Sequence, residues 1–170
     1  PEYTDKAKVS CEMKPTDWKK MNPSNKNTDK MSKEVKILRL WVNHGQAPVN
    51  DVYGYAVYTG KGTPQSVLPF EVMRNDIGVQ AIRTKDKSIV QAVFYPGDAE
   101  LKYKDLTLSV SAPCAVMIQK LGGKYRISVT DATMNADLKS IIVTLNGKTY
   151  ELSLPTGMHC GNTVTQDFDI

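Results

Sequence analysis

The sequence holds few residues suited to metal or redox chemistry: two histidines and three cysteines in 170 residues. Cys11, Cys114 and Cys160 are far apart and form no C-x-x-C pair, so zinc-binding and thioredoxin-type chemistry have no support. One disulfide with a free thiol and three free thiols both stay open, and the count does not fix the redox compartment. No apolar run approaches the roughly 20 residues of a membrane-spanning helix, so no membrane span is expected. No charged segment followed by an apolar one opens the chain, so residues from Pro1 onward do not read as a signal peptide. A Ser/His/Asp constellation, a glycine-rich phosphate loop and metal-ligand spacing are also missing. No cofactor or metal site is expected. A structural calcium ion held by backbone carbonyls and scattered carboxylates would leave little trace in sequence.

What remains is an ordinary globular mixture, 41% apolar and 24% charged, of a length that suits one domain or one domain plus part of another. The net charge is +4, with 22 basic and 18 acidic residues. Residues 1–40 carry 10 Lys/Arg against 6 Asp/Glu, and residues 41–170 carry 12 of each, so the excess lies in the first 40. Such a segment suits a solvated loop or an acidic polysaccharide. Lysine dominates it and no aromatics alternate with the lysines, which argues against a nucleic-acid surface.

Residues 13–34, rich in Lys, Asn, Ser, Thr and Pro and without period, read as a long loop. Beyond it, strand patterns take over. Residues 35–42 and 52–58 are apolar on both faces, as strands between two layers would be, and this places Trp41 in a core. Residues 77–83 and 89–95 continue the pattern, and from Leu106 the alternation is clean. Hairpins are expected around Gly122–Gly123 and Asn146–Gly147. The fold class is therefore all-β, an antiparallel sandwich. Pro69 and Asn75 punctuate a seam near 70–76, dividing the chain into residues 1–75 and 76–170. The first part has too few strands for a covered sandwich, and reads as the end of a larger sheet system.

The most specific stretch is residues 40–60. A strand leads into a turn with His44, Gly45, Pro48, Asn50 and Asp51, and then come Tyr53 and Tyr55. Gly45 suits a backbone conformation closed to other residues, and Pro48 fixes a torsion. Two residues apart, the tyrosines project to one face. A His near a Tyr can serve as base and acid. The favoured reading is structural: His44 hydrogen-bonds across the turn, and the tyrosines pack a sandwich face with wet hydroxyls. His159 and Cys160 are expected at the surface, and Asp167 and Asp169 in a solvated tail.

The His44–Gly45, Pro48, Tyr53 and Tyr55 pattern resembles the end of the central β-domain of polysaccharide lyase family 8, the chondroitin and hyaluronan lyases. Val90–Val93, the stretch from Ala112 to Met117, and Ser128–Thr133 resemble that family's small C-terminal β-domain. The family more often has proline where Ala132 stands. The likeness covers roughly residues 35–150. It implies a secreted or periplasmic enzyme of several hundred residues, with an α/α-toroid, a large antiparallel supersandwich and a terminal sandwich. Such enzymes cleave uronate-containing glycosaminoglycans by β-elimination. The family's catalytic residues map to no position here, so the chain is expected to be a non-catalytic C-terminal portion. Its expected partners are an acidic polysaccharide and the enzyme's N-terminal domains. Another reading is a non-catalytic carbohydrate-binding or adhesion sandwich, with Trp18, Lys19 and Lys20 as glycan contacts. An unrelated sandwich with a coincidental His-Gly turn is a third.

Overall fold

The computed structural model describes residues 7–16, 23–24, 33–62, 67–96 and 98–170. The chain divides into two compact units, Pro1–Ala56 and Val57–Ile170.

The first unit is built on one antiparallel hairpin, β1 (Ala7–Thr16) with β2 (Lys33–Val42). The loop expected over 13–34 is therefore shorter, because Met13–Thr16 pair with Lys33–Lys36. Directly paired residues share a face of the ribbon. Val9 opposes Leu40 and Cys11 opposes Leu38, so Val9, Cys11, Met13, Leu38 and Leu40 share one face, apolar until Lys36 and Glu34 join it at the far end. That face is open: Leu38 is 70% exposed and Val9 65%. Trp41, expected in a core, lies on the other face and is 46% exposed. The strand expected over 52–58 is not formed, and these residues have no regular secondary structure. They carry strand-like side chains, but no strand among the described residues pairs with them, and a strand needs a ladder partner.

The second unit is the sandwich. One sheet has six strands in the order β12-β9-β8-β5-β4-β3, and the other has four in the order β11-β10-β7-β6. The strands are β3 (Phe70–Asn75), β4 (Val79–Thr84), β5 (Ile89–Phe94), β6 (Glu100–Tyr103), β7 (Leu106–Val110) and β8 (Cys114–Leu121), followed by β9 (Lys124–Thr130), β10 (Ser140–Leu145), β11 (Lys148–Ser153) and β12 (Val164–Asp169). All neighbours are antiparallel. Period-2 alternation turns one side of each inward. Val90, Ala92 and Phe94 of β5 meet Cys114, Val116 and Ile118 of β8, and Leu101, Leu108, Ile141, Val143 and Leu152 come from the other sheet. Each fully buried branched or aromatic side chain contributes about 1.5–3 kcal/mol.

The Asn146–Gly147 turn has positive φ at both residues, 48° and 83°, as a tight two-residue hairpin requires. Asn146 also ties the turn to β7: its backbone N–H donates to Thr107 O at 2.9 Å, and its Oδ1 accepts from Thr107 N at 2.8 Å. The seam expected at 70–76 is instead β3, which pairs with β4 despite a bulge between Val72 and Arg74. The 75/76 division thus falls inside a hairpin, and the compact units part at Ala56/Val57. The tail is not simply solvated. β12 pairs with β9, and Arg126 Nε and Nη2 donate to the two carboxylate oxygens of Asp167 at 2.7 and 2.9 Å.

Candidate functional site

The turn after β2 brings four of the singled-out residues together, His44, Asp51, Tyr53 and Tyr55. Gly45 has φ of 77°, and its N–H donates to Asn43 Oδ1 at 2.9 Å, which curls the chain back. Asp51 then meets His44, with Nδ1 and Oδ2 2.6 Å apart. Asp51 Oδ1 also accepts from the backbone N–H of Val52 at 3.1 Å, so both carboxylate oxygens are engaged. The Tyr53 ring stands edge-on to His44, with centroids 5.6 Å apart. Tyr55 lies parallel to Tyr53 at 6.5 Å, with 1° between the ring planes. The tyrosines were expected to pack a sandwich face. They are exposed instead, and the segment carrying them has no sheet neighbour among the described residues. Pro48 lies in the same turn and is exposed. Trp18, Lys19 and Lys20 lie outside the described residues.

A second polar centre, which the sequence reading missed, sits in the sandwich. Arg83 is 3% exposed. It donates Nη2 to Glu71 Oε1 and Nη1 to Asp105 Oδ1, each at 2.7 Å, and its guanidinium lies 5.6 Å from the Tyr103 ring. Lys104 bonds Glu71 and Lys87 bonds Asp105, which extends the network to the surface. Hydrogen bonds from Lys104 and then Arg83 hold the Glu71 carboxyl down at about 2. Those from Arg83 and then Lys87 hold Asp105 well below the ordinary carboxylate range. A signal for this centre existed: in β4, Arg83 follows Val79 and Ala81 at inward positions, and an inward charge needs partners.

The Ser128–Thr133 stretch performs a local structural task. Burial pushes the Asp131 carboxyl up, but bonds from the Thr133 hydroxyl and the backbone N–H groups of Asn135 and Thr133 outweigh it, and it stays below its usual value. Alanine at 132 leaves all of these bonds in place. Burial pushes the Cys114 thiol up to about 12, which makes it unreactive. Among the described residues no group of three or more His, Cys, Asp or Glu is arranged to hold a metal ion. No helix of the described residues is long and apolar enough to cross a membrane.

Chemically, the His44 turn offers an oriented imidazole and two stacked rings, and the Arg83 centre is internally ion-paired. Neither assembles a base, an acid and a carboxylate-neutralising group around one cavity.

Residues 71–140 match the family model described as polysaccharide lyase family 8, C-terminal β-sandwich domain. A chondroitinase-AC from Pedobacter heparinus is 30% identical over 128 residues, 72% of this chain and 18% of that protein. A solved chondroitinase AC lyase, studied in enzyme–oligosaccharide complexes, superposes with a TM-score of 0.72 at 26% identity, covering 94% of this chain and 24% of its own. A Paenibacillus xanthan lyase shares the fold, with a TM-score of 0.60 at 18% identity, over 82% of this chain and 14% of its own. The chain thus spans about a fifth to a quarter of the length of the chondroitinases it resembles. The chain belongs to polysaccharide lyase family 8, of which it carries the C-terminal β-sandwich domain.

Proposed function

We propose that this chain is the C-terminal structural portion of a secreted or periplasmic lyase that cleaves chondroitin sulfate or hyaluronan by β-elimination at the uronic acid. The portion itself is non-catalytic. Its first unit, Pro1–Ala56, supplies the last strands of a larger supersandwich, and the sandwich from β3 onward is the terminal domain.

The observation that carries this reading is the open apolar face of the β1–β2 hairpin, with Leu38 at 70% and Leu40 at 57% exposure. Apolar side chains arranged in register on one sheet face belong against a second layer. The relatives' greater length supplies chain for that layer. The β-elimination step abstracts the proton α to a carboxylate, which requires neutralising that carboxylate and placing a base beside it. Neither the His44–Asp51 pair nor the ion-paired Arg83 centre brings both together around one cavity, which assigns the chemistry to the N-terminal domains.

The test is a lyase assay on the full-length gene product and on this 170-residue chain, reading unsaturated uronate products in the ultraviolet. Activity only in the longer product is expected. Turnover by the 170-residue chain alone would overturn the silent-portion reading. A native product of about 19 kDa, the mass of this chain, would remove the larger enzyme. The exposed, parallel Tyr53 and Tyr55 rings favour a second reading, a carbohydrate-binding module, because flat aromatic faces stack on sugar rings.

A further inference from the structure

The C-terminal sandwich is electrically neutral but polarised from end to end. Residues 70–170 carry 11 Lys/Arg and 11 Asp/Glu. The strand registers sort them. One end gathers the turns after β4, β6, β8 and β10, together with the strand termini beside them. Arg83, Lys85, Lys87, Lys104, Lys120, Lys124 and Lys148 lie there against Glu71, Asp86, Asp105 and Asp169, an excess of three positive charges. The other end, with the turns after β3, β5 and β9, holds Asp76, Asp98, Glu100, Asp131 and Asp137 against Arg74 and Lys139.

The basic end also has a hollow. A cavity of about 150 Å³ opens between the sheets, with Arg83, Lys87, Lys120, Tyr125 and Asn146 in its wall and Val90, Ile118 and Leu145 among its apolar lining. It is smaller than the few hundred Å³ of a whole small-molecule site. It suits one charged substituent with the rest of the ligand running over the surface. Asp105 sits in the wall, but its carboxylate is engaged by Arg83 and Lys87. Lys85, Lys120 and Lys148 are exposed and have no ion-pair partner among the described residues, so their charge is available to a ligand. Asn146 spends its Oδ1 on Thr107, which leaves its amide N–H groups for an acceptor.

We propose that this end is an anion-binding site that holds the sulfate or carboxylate group of an acidic polysaccharide. The choice of a polysaccharide rests on the lyase reading above, whereas the anion site itself rests on the charge and the cavity. Lysine-dominated turns give a point-charge attraction that is steep in salt. The only ring in the cavity wall, Tyr125, is half-buried and sits edge-on to Tyr150, which gives no stacking platform for unstacked bases.

The test is titration of the 170-residue chain with chondroitin sulfate, chemically desulfated chondroitin, hyaluronan and duplex DNA, followed by amide resonances. The expected result is a shift of Lys87, Lys120, Tyr125 and Asn146 with chondroitin sulfate, fading towards physiological salt, where the Debye length is about 8 Å. Lys120→Glu with Lys148→Glu should weaken binding about tenfold or more at low salt, whereas Lys102→Glu with Lys139→Glu, the same charge change away from the cavity, should not. Equal shifts with the desulfated chain identify the carboxylate as the bound group, and loss of shifts identifies the sulfate. Unchanged binding in the Lys120/Lys148 variant, or shifts confined to the N-terminal lysines, overturns the site. The same resonances moving at lower concentrations of duplex DNA overturn the polysaccharide. Resonance mapping needs no variant, so a folding defect cannot mask the answer. A parent protein without lyase activity would refute the function reading and leave this binding result standing.

Discussion

The β1–β2 hairpin and the C-terminal sandwich are made of the same materials and come to opposite ends. Both are antiparallel, and both place apolar residues at alternate positions. In the sandwich those positions face a second sheet, and Leu101, Leu108, Ile127 and Leu152 are fully buried. In the hairpin they stay exposed among the described residues, with Leu38 at 70% and Val9 at 65%. A two-stranded ribbon alone is marginal in water, whereas a layered sheet is not. Apolar alternation therefore specifies a face to be covered, and whether the cover lies in the same chain is a separate fact. The sandwich carries its own cover, and the described residues supply none for the hairpin.

The largest contrast should appear in thiol chemistry. Cys11 is exposed on the open face of the hairpin and Cys114 is buried with its thiol pushed up to about 12. A thiol reagent at mildly alkaline pH should label Cys11 at once and Cys114 only on unfolding, rates apart by orders of magnitude. Peptide mapping after timed labelling reads this directly, and early labelling of Cys114 would break the comparison. Next in size is side-chain truncation. Phe94→Ala should cost about 3–5 kcal/mol in denaturant unfolding of the sandwich. Leu38→Ala should stay within about 0.5 kcal/mol in this chain, as exposed sites do. A large loss at Leu38 would mean that the hairpin is already covered.

The same contrast explains what could be read from the sequence. The strands of the sandwich were legible where tight turns join neighbours in sequence: Gly122–Gly123 and Asn146–Gly147 each mark a hairpin. β3 was not, because Pro69 and Asn75 look like punctuation, and only its ladder with β4 gives them a strand to bracket. β12 was missed because its sequence, VTQDFD, is polar on the outside and its partner β9 is more than thirty residues earlier. Residues 52–58 show the reverse error: strand composition was legible, but pairing is a tertiary property that composition does not carry. The His44–Asp51 approach could be anticipated from the turn. The Arg83 centre joins residues 12 and 22 positions apart and requires the sheet registers.

That centre gives the next effect. Arg83→Ala removes the shared partner of Glu71 and Asp105. Breaking a buried pair typically costs about 3–5 kcal/mol, and the partly open acids here place the loss nearer about 2–3 kcal/mol. Its pH signature has a definite sign. Glu71 is depressed from 4.5 to about 2 in the folded chain. Its contribution is therefore complete above about 4.5 and is lost as pH falls towards about 2. Unfolding midpoints measured across that window should fall more steeply for the parent chain than for Glu71→Gln. Parallel slopes would detach Glu71 from stability.

The smallest effect tests how well the sandwich is finished. Tyr150 is 7% exposed and packs against Phe168 at 4.9 Å and edge-on to Tyr125, closing the core between β11 and β12. Its hydroxyl is buried without a hydrogen-bond partner among the described residues. A buried hydroxyl left unpaired costs about 1–3 kcal/mol, whereas the ring accounts for the packing. Tyr150→Phe keeps the ring and deletes the unpaired group, so the unfolding midpoint should hold or rise, by up to about 1 kcal/mol in stability. Tyr150→Ala, which deletes both, should cost as much as other aromatic truncations, about 3–5 kcal/mol. A loss with phenylalanine comparable to that with alanine would mean that the hydroxyl has a partner beyond the described residues.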